Sequence, residues 1–253
     1  MRRFLLFYLL LFTTAGFLFS QADGDIVAQL DQAEALLNKK PKESLQVAGA
    51  AKTAAENSNN IKAQAKAVAL MGIANYKIDD YAKARIFIRQ GEALSGQISD
   101  TSLMAFCKYW LANLELNQGQ YSKALDLYQT TFLLAQKIGD KKNIARSLDG
   151  KATIYEALGE DDKALELYSQ SLTAAKEANF TEWYGNVAFE LANQEYKKGR
   201  LDEAIKKYNE AIQLSEEAGN LNNKANCLQQ LASVYYDKSD SKQAMKYVQQ
   251  AMD

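Results

Sequence analysis

The stretch Ile144–Glu177, IARSLDGKATIYEALGEDDKALELYSQSLTAAKE, decides the fold of this chain. Its pattern predicts two amphipathic helices joined by a tight turn. Gly159 lies where the first helix should end, at a position that favours a left-handed backbone. On the second predicted helix, Ala164, Tyr168 and Ser171 are spaced by four and three residues, so they share one face. The stretch therefore predicts a helical hairpin.

The same unit recurs along the chain at a step of 40 residues. Small residues stand at the phase of Ala164 in six copies: Ser44, Ala84, Ala124, Ala164, Ala204 and Ala244. A small residue at this anchor position lets the two helices of a hairpin cross closely. Glycine precedes the anchor by five residues at Gly119, Gly159 and Gly199, and tyrosine follows it by four at Tyr128, Tyr168 and Tyr208. Self-similarity at a fixed period of this size is typical of a solenoid.

Four segments resemble the tetratricopeptide repeat: YEALGEDDKALELYSQSL, NQGQYSKALDLYQTTF, KKGRLDEAIKKYNEAI and, more loosely, YDKSDSKQAMKYVQQAM. The resemblance covers Asp25 to Asp253. It implies an all-α fold, a TPR-like α-solenoid forming a right-handed superhelix of about six helix-turn-helix repeats. The usual period of the family is about 34 residues. The longer step here resembles bacterial signalling members of the family and predicts a longer second helix in each repeat.

Residues 1–22 are predicted to be a secretion signal. Arg2 and Arg3 supply a positive start, Phe4–Phe19 is almost entirely apolar, and Ala22 suits cleavage. A cleaved signal is favoured over a retained anchor because the apolar run is short for a membrane span. The mature chain is therefore expected in the periplasm or outside the cell. Residues 23–253 then form the array, with repeats near 25–60, 61–100, 101–140, 141–180, 181–220 and 221–253.

Composition argues against several classes of function. The full sequence has 30 basic and 31 acidic residues. Removal of Arg2 and Arg3 with the signal leaves 28 basic and 31 acidic residues. This mild charge argues against a nucleic-acid-binding face and against electrostatic membrane binding. The chain has no histidine, which removes the commonest general base and zinc ligand. No catalytic, cofactor or metal motif appears, so we predict a non-enzyme with no cofactor and no metal.

The two cysteines, Cys107 and Cys227, are three repeats apart. At about 10 Å per helix layer they should be separated by roughly 30 Å, far beyond the roughly 7 Å between Cα atoms that a disulfide tolerates. We therefore predict small buried residues and no intrachain disulfide.

In the tetratricopeptide family the first helices line a concave groove. Carried onto this chain, the groove-facing positions give these candidate partner-binding residues: Tyr76, Tyr109, Asn113, Phe189, Asn193, Tyr196, Gln229 and Tyr236. Asn can donate to and accept from a peptide backbone, and aromatic side chains offer rigid contact area. The resemblance therefore implies a protein or peptide partner. The alternative is that about half of these side chains only contact the neighbouring helix.

Two functions remain open at this stage. The first is an exported non-catalytic scaffold that binds protein or peptide partners. The second is the extracytoplasmic sensor domain of a signalling protein, such as a sensor histidine kinase, whose C-terminal part is absent.

The last repeat adds a separate question. It should leave Tyr247, Val248, Ala251 and Met252 uncovered. An end-to-end homodimer, another protein, or a natural chain that continues further could each cover them.

Overall fold

The structure is a computed structural model that describes residues 24–252, apart from the side chain of Glu182. The predicted secretion signal lies outside the described residues. The helices are α1 (residues 24–36), α2 (Pro41–Asn57), α3 (Ile61–Lys77), α4 (Tyr81–Gln97), α5 (Thr101–Asn117), α6 (Tyr121–Ile138), α7 (Lys141–Ala157), α8 (Asp161–Glu177), α9 (Thr181–Lys197), α10 (Leu201–Glu217), α11 (Leu221–Asp237) and α12 (Ser241–Met252). Residues 24–252 contain no strand, and the predicted all-α fold is confirmed.

The helices belong to two compact units, an amino-terminal unit up to Gln120 and a carboxy-terminal unit from Tyr121. In the amino-terminal unit, α2 packs on α3, α3 on α4 and α4 on α5, and α3 also contacts α5. In the carboxy-terminal unit, each helix from α6 to α11 packs on the one that follows it, and α9 also contacts α11. Within each unit the hairpins therefore stack in sequence order. This arrangement confirms the predicted TPR-like α-solenoid.

Tight turns separate the helices every 20 residues. From Asn59 onward each turn contains one residue with a positive φ: Asn59, Asp79, Ser99, Gly119, Gly139, Gly159, Asn179, Gly199, Gly219 and Ser239. Glycine adopts this left-handed conformation without a steric penalty, and Asn and Asp tolerate it better than most side chains. At Gly159 (φ 76°), the N–H of Glu160 donates to the carbonyl of Tyr155 at 2.8 Å. Gly159 thus ends α7 as predicted.

The extra residues of the long repeat are shared between both helices. In the hairpin that the opening sequence stretch encodes, α7 and α8 are each 17 residues long. The sequence analysis assigned the extra length to the second helix alone. Because the two helices are equal in length, the turns recur at a constant interval of 20 residues.

Small residues set the distance between packed helices. Ala84, Ala124, Ala164 and Ala204 are fully buried. The tightest approach involves Gly150 on α7, where an added Cβ would lie 2.3 Å from Cζ of the Tyr128 side chain on α6. The Tyr128 side chain is itself completely buried, so its ring has little room to move. The missing side chain at Gly150 is therefore what allows α7 to lie against α6.

Both cysteines are buried free thiols. Burial raises the pKa of Cys107 to about 12 and that of Cys227 to about 12. Thiols with so high a pKa are protonated at neutral pH and react poorly. The side chains therefore serve as small apolar residues of the core.

Two glycine substitutions separate helix propensity from packing. We expect Gly150→Ala to destabilise the fold by about 1–3 kcal/mol, because overpacking against Tyr128 outweighs the gain in helix propensity. The matched control is Gly49→Ala in α2, where an added Cβ meets nothing within 4 Å. That substitution should stabilise the fold by roughly 0.5–1 kcal/mol. Urea unfolding followed by circular dichroism measures both, and a stabilising Gly150→Ala would contradict the close crossing.

Candidate functional site

Three of the predicted groove residues lie in the amino-terminal unit. The half-buried Tyr76 on α3 packs edge-on against Trp110 on α5, with ring centroids 5.2 Å apart. Its hydroxyl accepts a hydrogen bond from Nδ2 of Asn117 at 3.0 Å. Tyr109 is buried beside Trp110, and Asn113 is half-buried. Tyr76 therefore joins two first helices as well as lining their surface.

The other five predicted residues lie in the carboxy-terminal unit, and Asn193 on α9 is the most constrained of them. Its Oδ1 accepts a hydrogen bond from the hydroxyl of Tyr208 at 2.6 Å, and its Nδ2 donates to Oε2 of Glu190 at 3.0 Å. The ring of Phe189 lies 6.0 Å from that of Tyr208. The amide of Asn193 is therefore held in one orientation by its neighbours, a structural role that the sequence did not indicate.

The remaining predicted residues lie at the ends of α9 and α11. The hydroxyl of Tyr196 donates to Oδ2 of Asp237 at 2.6 Å, and this hydrogen bond, with burial, raises the pKa of Tyr196 to about 12. Gln229 and Tyr236 on α11 are exposed. Tyr236 and Gln229 thus offer open contact area, whereas Tyr196 is engaged with the next first helix.

A repeated link joins the carboxyl ends of successive first helices within each unit. The partners are always 41 residues apart: Tyr76 with Asn117, Glu156 with Lys197, and Tyr196 with Asp237. Sequence reasoning missed these links, although polar residues recur at that spacing in the last turn of the first helices. Two of the eight candidate residues, Tyr76 and Tyr196, are part of them.

Carboxylates from two first helices gather in the carboxy-terminal unit. Burial, together with the negative charges of Glu190 and Glu156, raises the pKa of Asp149 to about 8. Burial also raises the pKa of Glu190, with Glu156 adding to the effect. The hydroxyl of Tyr168 donates to Oε2 of Glu156 at 3.0 Å, and Lys197 forms an ion pair with Glu156. α7 and α9 therefore bring three carboxyl groups, those of Asp149, Glu156 and Glu190, into mutual interaction, and Lys197 pairs with one of them.

The described residues offer no arrangement for metal chemistry. Between residues 24 and 252, no group of three or more Cys, Asp or Glu side chains is placed to hold a metal ion.

No helix between residues 24 and 252 combines the length and the apolar character that crossing a bilayer requires.

Comparison with known sequences gives the family. A model of the tetratricopeptide repeat family matches residues 104–177 and 184–253, together more than half of the chain. The chain is also 33% identical over 75 residues to the photosystem I assembly protein Ycf3 of Prochlorococcus marinus subsp. pastoris. That alignment covers 30% of this chain and 42% of Ycf3, so the chain spans less than half the length of this relative.

Solved structures share the fold at low sequence identity. A Rap protein complexed with Competence and Sporulation Factor has a TM-score of 0.67 at 14% identity, covering 88% of this chain and 73% of that one. NprR in complex with its cognate peptide NprX has a TM-score of 0.60 at 15% identity, covering 90% of this chain and 66% of that one. At such identities the likeness is one of fold.

The raised pKa of Asp149 predicts a dependence of stability on pH. Its carboxyl has a pKa of about 8 in the folded chain and about 3.9 in an unfolded one. The fold therefore favours the protonated form, and the stability that this form contributes is lost as the pH rises from about 4 to about 8. We expect Asp149→Asn to raise the melting temperature at pH 8 and to have a smaller effect at pH 4.5. Asp202→Asn, at a solvent-exposed carboxylate, is the control, and an equal shift at both pH values would contradict the assignment.

The hydrogen bond between Asn193 and Tyr208 predicts a coupling between these two positions. Asn193→Ala should destabilise the fold by about 1–3 kcal/mol, because it leaves the buried Tyr208 hydroxyl without its acceptor. Tyr208→Phe removes that hydroxyl, so the double variant should be more stable than the sum of the two single effects implies. Thermal unfolding of the four proteins measures the coupling, and strict additivity would show that the bond contributes nothing.

Proposed function

The chain belongs to the tetratricopeptide repeat family, and from this premise we propose that it is an exported, non-catalytic scaffold whose first-helix surfaces bind a protein or peptide. Two proteins of similar fold are seen in complexes, the Rap protein with Competence and Sporulation Factor and NprR with its cognate peptide NprX. The absence of histidine supports a binding role over a catalytic one.

The proposal rests on one observation: on the surface of α7 and α9, polar side chains are fixed in orientation by hydrogen bonds to their neighbours. Asn193 is fixed between Glu190 and Tyr208, and Thr153 lies 3.3 Å from the hydroxyl of Tyr168. Polar groups that are oriented before a ligand arrives lose less conformational entropy when they bind it. Amide and hydroxyl groups held in this way suit the alternating donors and acceptors of a peptide.

The charge of this surface favours a basic partner. Three carboxyl groups, those of Asp149, Glu156 and Glu190, interact with one another, and Lys197 forms an ion pair with Glu156. A lysine or arginine side chain of a ligand would pair with Glu190 and would favour the ionised form of Asp149. Complementary charge also steers the approach of a partner and selects among candidates.

Export is supported by the amino-terminal sequence. Arg2 and Arg3 precede the apolar run Phe4–Phe19, and small residues follow it, as in a secretory signal. We propose that the mature chain works in the periplasm or outside the cell, and that its 40-residue repeat is of the bacterial type.

Peptide selection tests the proposed function. A random linear peptide library displayed on phage is selected against the immobilised full chain, and enriched peptides are titrated by fluorescence anisotropy. We expect peptides of net positive charge whose dissociation constant rises about tenfold or more, at least 1.4 kcal/mol, with Glu190→Gln.

The control is Glu177→Gln, at the exposed last residue of α8, which should leave the affinity unchanged. Glu190→Gln retains an acceptor for Asn193, so the hydrogen bond to that amide persists. Failure to enrich any peptide, or enriched peptides that are indifferent to Glu190→Gln, would count against this surface as the binding site.

A further inference from the structure

Asp149 differs from the two other carboxyl groups of α7 and α9 in having no partner. The carboxylate of Glu156 accepts a hydrogen bond from the hydroxyl of Tyr168 at 3.0 Å. The carboxylate of Glu190 accepts one from Nδ2 of Asn193 at 3.0 Å. Within the part of the chain that the structure describes, no hydrogen bond or ion pair reaches the carboxyl group of Asp149. Its ionised form therefore lacks a stabilising donor or cation, which a ligand can supply.

The surroundings of Asp149 favour its protonated form. The side chain is half-buried. At the equivalent positions, 40 residues apart per repeat, α3 has Ala69 and α9 has Phe189, so the site is one where other copies place apolar groups. Burial and the negative charges of Glu190 and Glu156 raise the pKa of Asp149 to about 8. The carboxyl of Asp149 therefore gains or loses its proton close to neutral pH.

Titratable and charged groups stand near Asp149 on four helices. They are Arg146 and Glu156 on α7, Tyr128 on α6, Tyr168 on α8, and Glu190 and Lys197 on α9. The guanidinium of Arg146 is engaged elsewhere, since its Nη1 donates to Oδ1 of Asn143 at 3.1 Å. The charges that raise the pKa of Asp149 are those of Glu190 and Glu156, and both are negative. A cation brought by a ligand would reverse that influence.

The composition of the chain leaves few other groups that change charge near neutral pH. The sequence has no histidine, the side chain that ordinarily titrates between pH 5 and 8. Burial raises the pKa of Cys107 and that of Cys227 to about 12. Burial also raises the pKa of Glu190, so Glu190 is the second carboxyl that a titration must consider. A change of ligand affinity near neutral pH would therefore point to the carboxyl groups of α7 and α9.

We propose that a basic ligand binds the polar surface of α7 and α9 by displacing the proton of Asp149, so that its affinity rises with pH. This inference rests on the proposed function, because it concerns the same surface and the same class of partner. As the guanidinium or ammonium group of the ligand arrives, the carboxyl of Asp149 releases its proton to the solvent and pairs with the cation as a carboxylate. The proton and the ligand therefore compete, and each lowers the affinity for the other by the same factor.

Isothermal titration calorimetry of the full chain with an acetylated hexa-arginine amide tests the coupling. Arginine keeps its charge over the whole range, and the blocked ends of the peptide do not titrate, so any dependence on pH belongs to the protein. We expect the dissociation constant to fall about tenfold or more between pH 6.5 and pH 8.5, since Asp149 must lose a proton to bind. Buffers of different ionisation enthalpy should show that close to one proton is released per peptide bound at pH 6.5.

Two variants identify the group that releases the proton. Asp149→Asn keeps the shape of the side chain but has no proton to release, so its dissociation constant should be nearly the same at pH 6.5 and pH 8.5. Asp202→Asn makes the same change at a solvent-exposed carboxylate on α10 and should behave as the wild type does. Circular dichroism should show equal helix content in all three proteins.

A second measurement does not depend on any ligand. Carbon-13 NMR of the aspartate carboxyl groups follows Asp149 directly, and we expect the free chain to show a carboxyl with a pKa of about 8 that is missing in Asp149→Asn. Titration of Asp149 near its ordinary pKa of about 3.9 would overturn this inference alone. So would peptide binding with the same affinity at both pH values, or a dependence on pH that Asp149→Asn retains. Absence of binding at every pH would overturn the proposed function and this inference together.

Discussion

The close crossing of helices at small residues is the constraint on which this structure depends. Where Gly150 on α7 meets the ring of Tyr128, even one methyl group would not fit. The buried alanines at 84, 124, 164 and 204 play the corresponding part within their hairpins. Because each contact is local, the same geometry can be copied along the chain. Within each unit, a stack of hairpins then buries a core that one hairpin alone is too small to form.

The first helices combine two tasks that compete for the same side chains. A binding surface needs exposed polar and aromatic groups, while a stack of hairpins needs links between neighbours. In the carboxy-terminal unit, Tyr196 donates to Asp237 and Glu156 pairs with Lys197, so these groups join successive helices. Asn193 is hydrogen-bonded to Glu190 and Tyr208, and it can serve both tasks, packing within the array and contact with a ligand. Its amide is anchored through side chains of the array, and that anchoring orients it for a ligand.

The repeat also allows the burial of one position to be compared with the burial of its equivalents in other copies. An exposed valine on a helix is common in soluble proteins. Val248 differs because its equivalents, Tyr128, Tyr168 and Tyr208, are buried. Comparison between copies within one chain therefore distinguishes a surface position from an interface position. It separates the apolar face of α12 from the polar surface of α7 and α9.

The sequence by itself determined the fold, the helical hairpins and the turns. Local backbone geometry requires Gly159, and packing within a single hairpin requires Ala164 and Tyr168. Because every hairpin has these same requirements, the residues recur periodically along the chain. Only the tertiary structure decided how the candidate groove residues are used. The links between Tyr76 and Asn117 and between Tyr196 and Asp237 join residues from different hairpins, and the pKa of Asp149 depends on Glu190 from the next first helix. Such contacts arise from the distance between hairpins and from burial, which no single repeat of the sequence encodes.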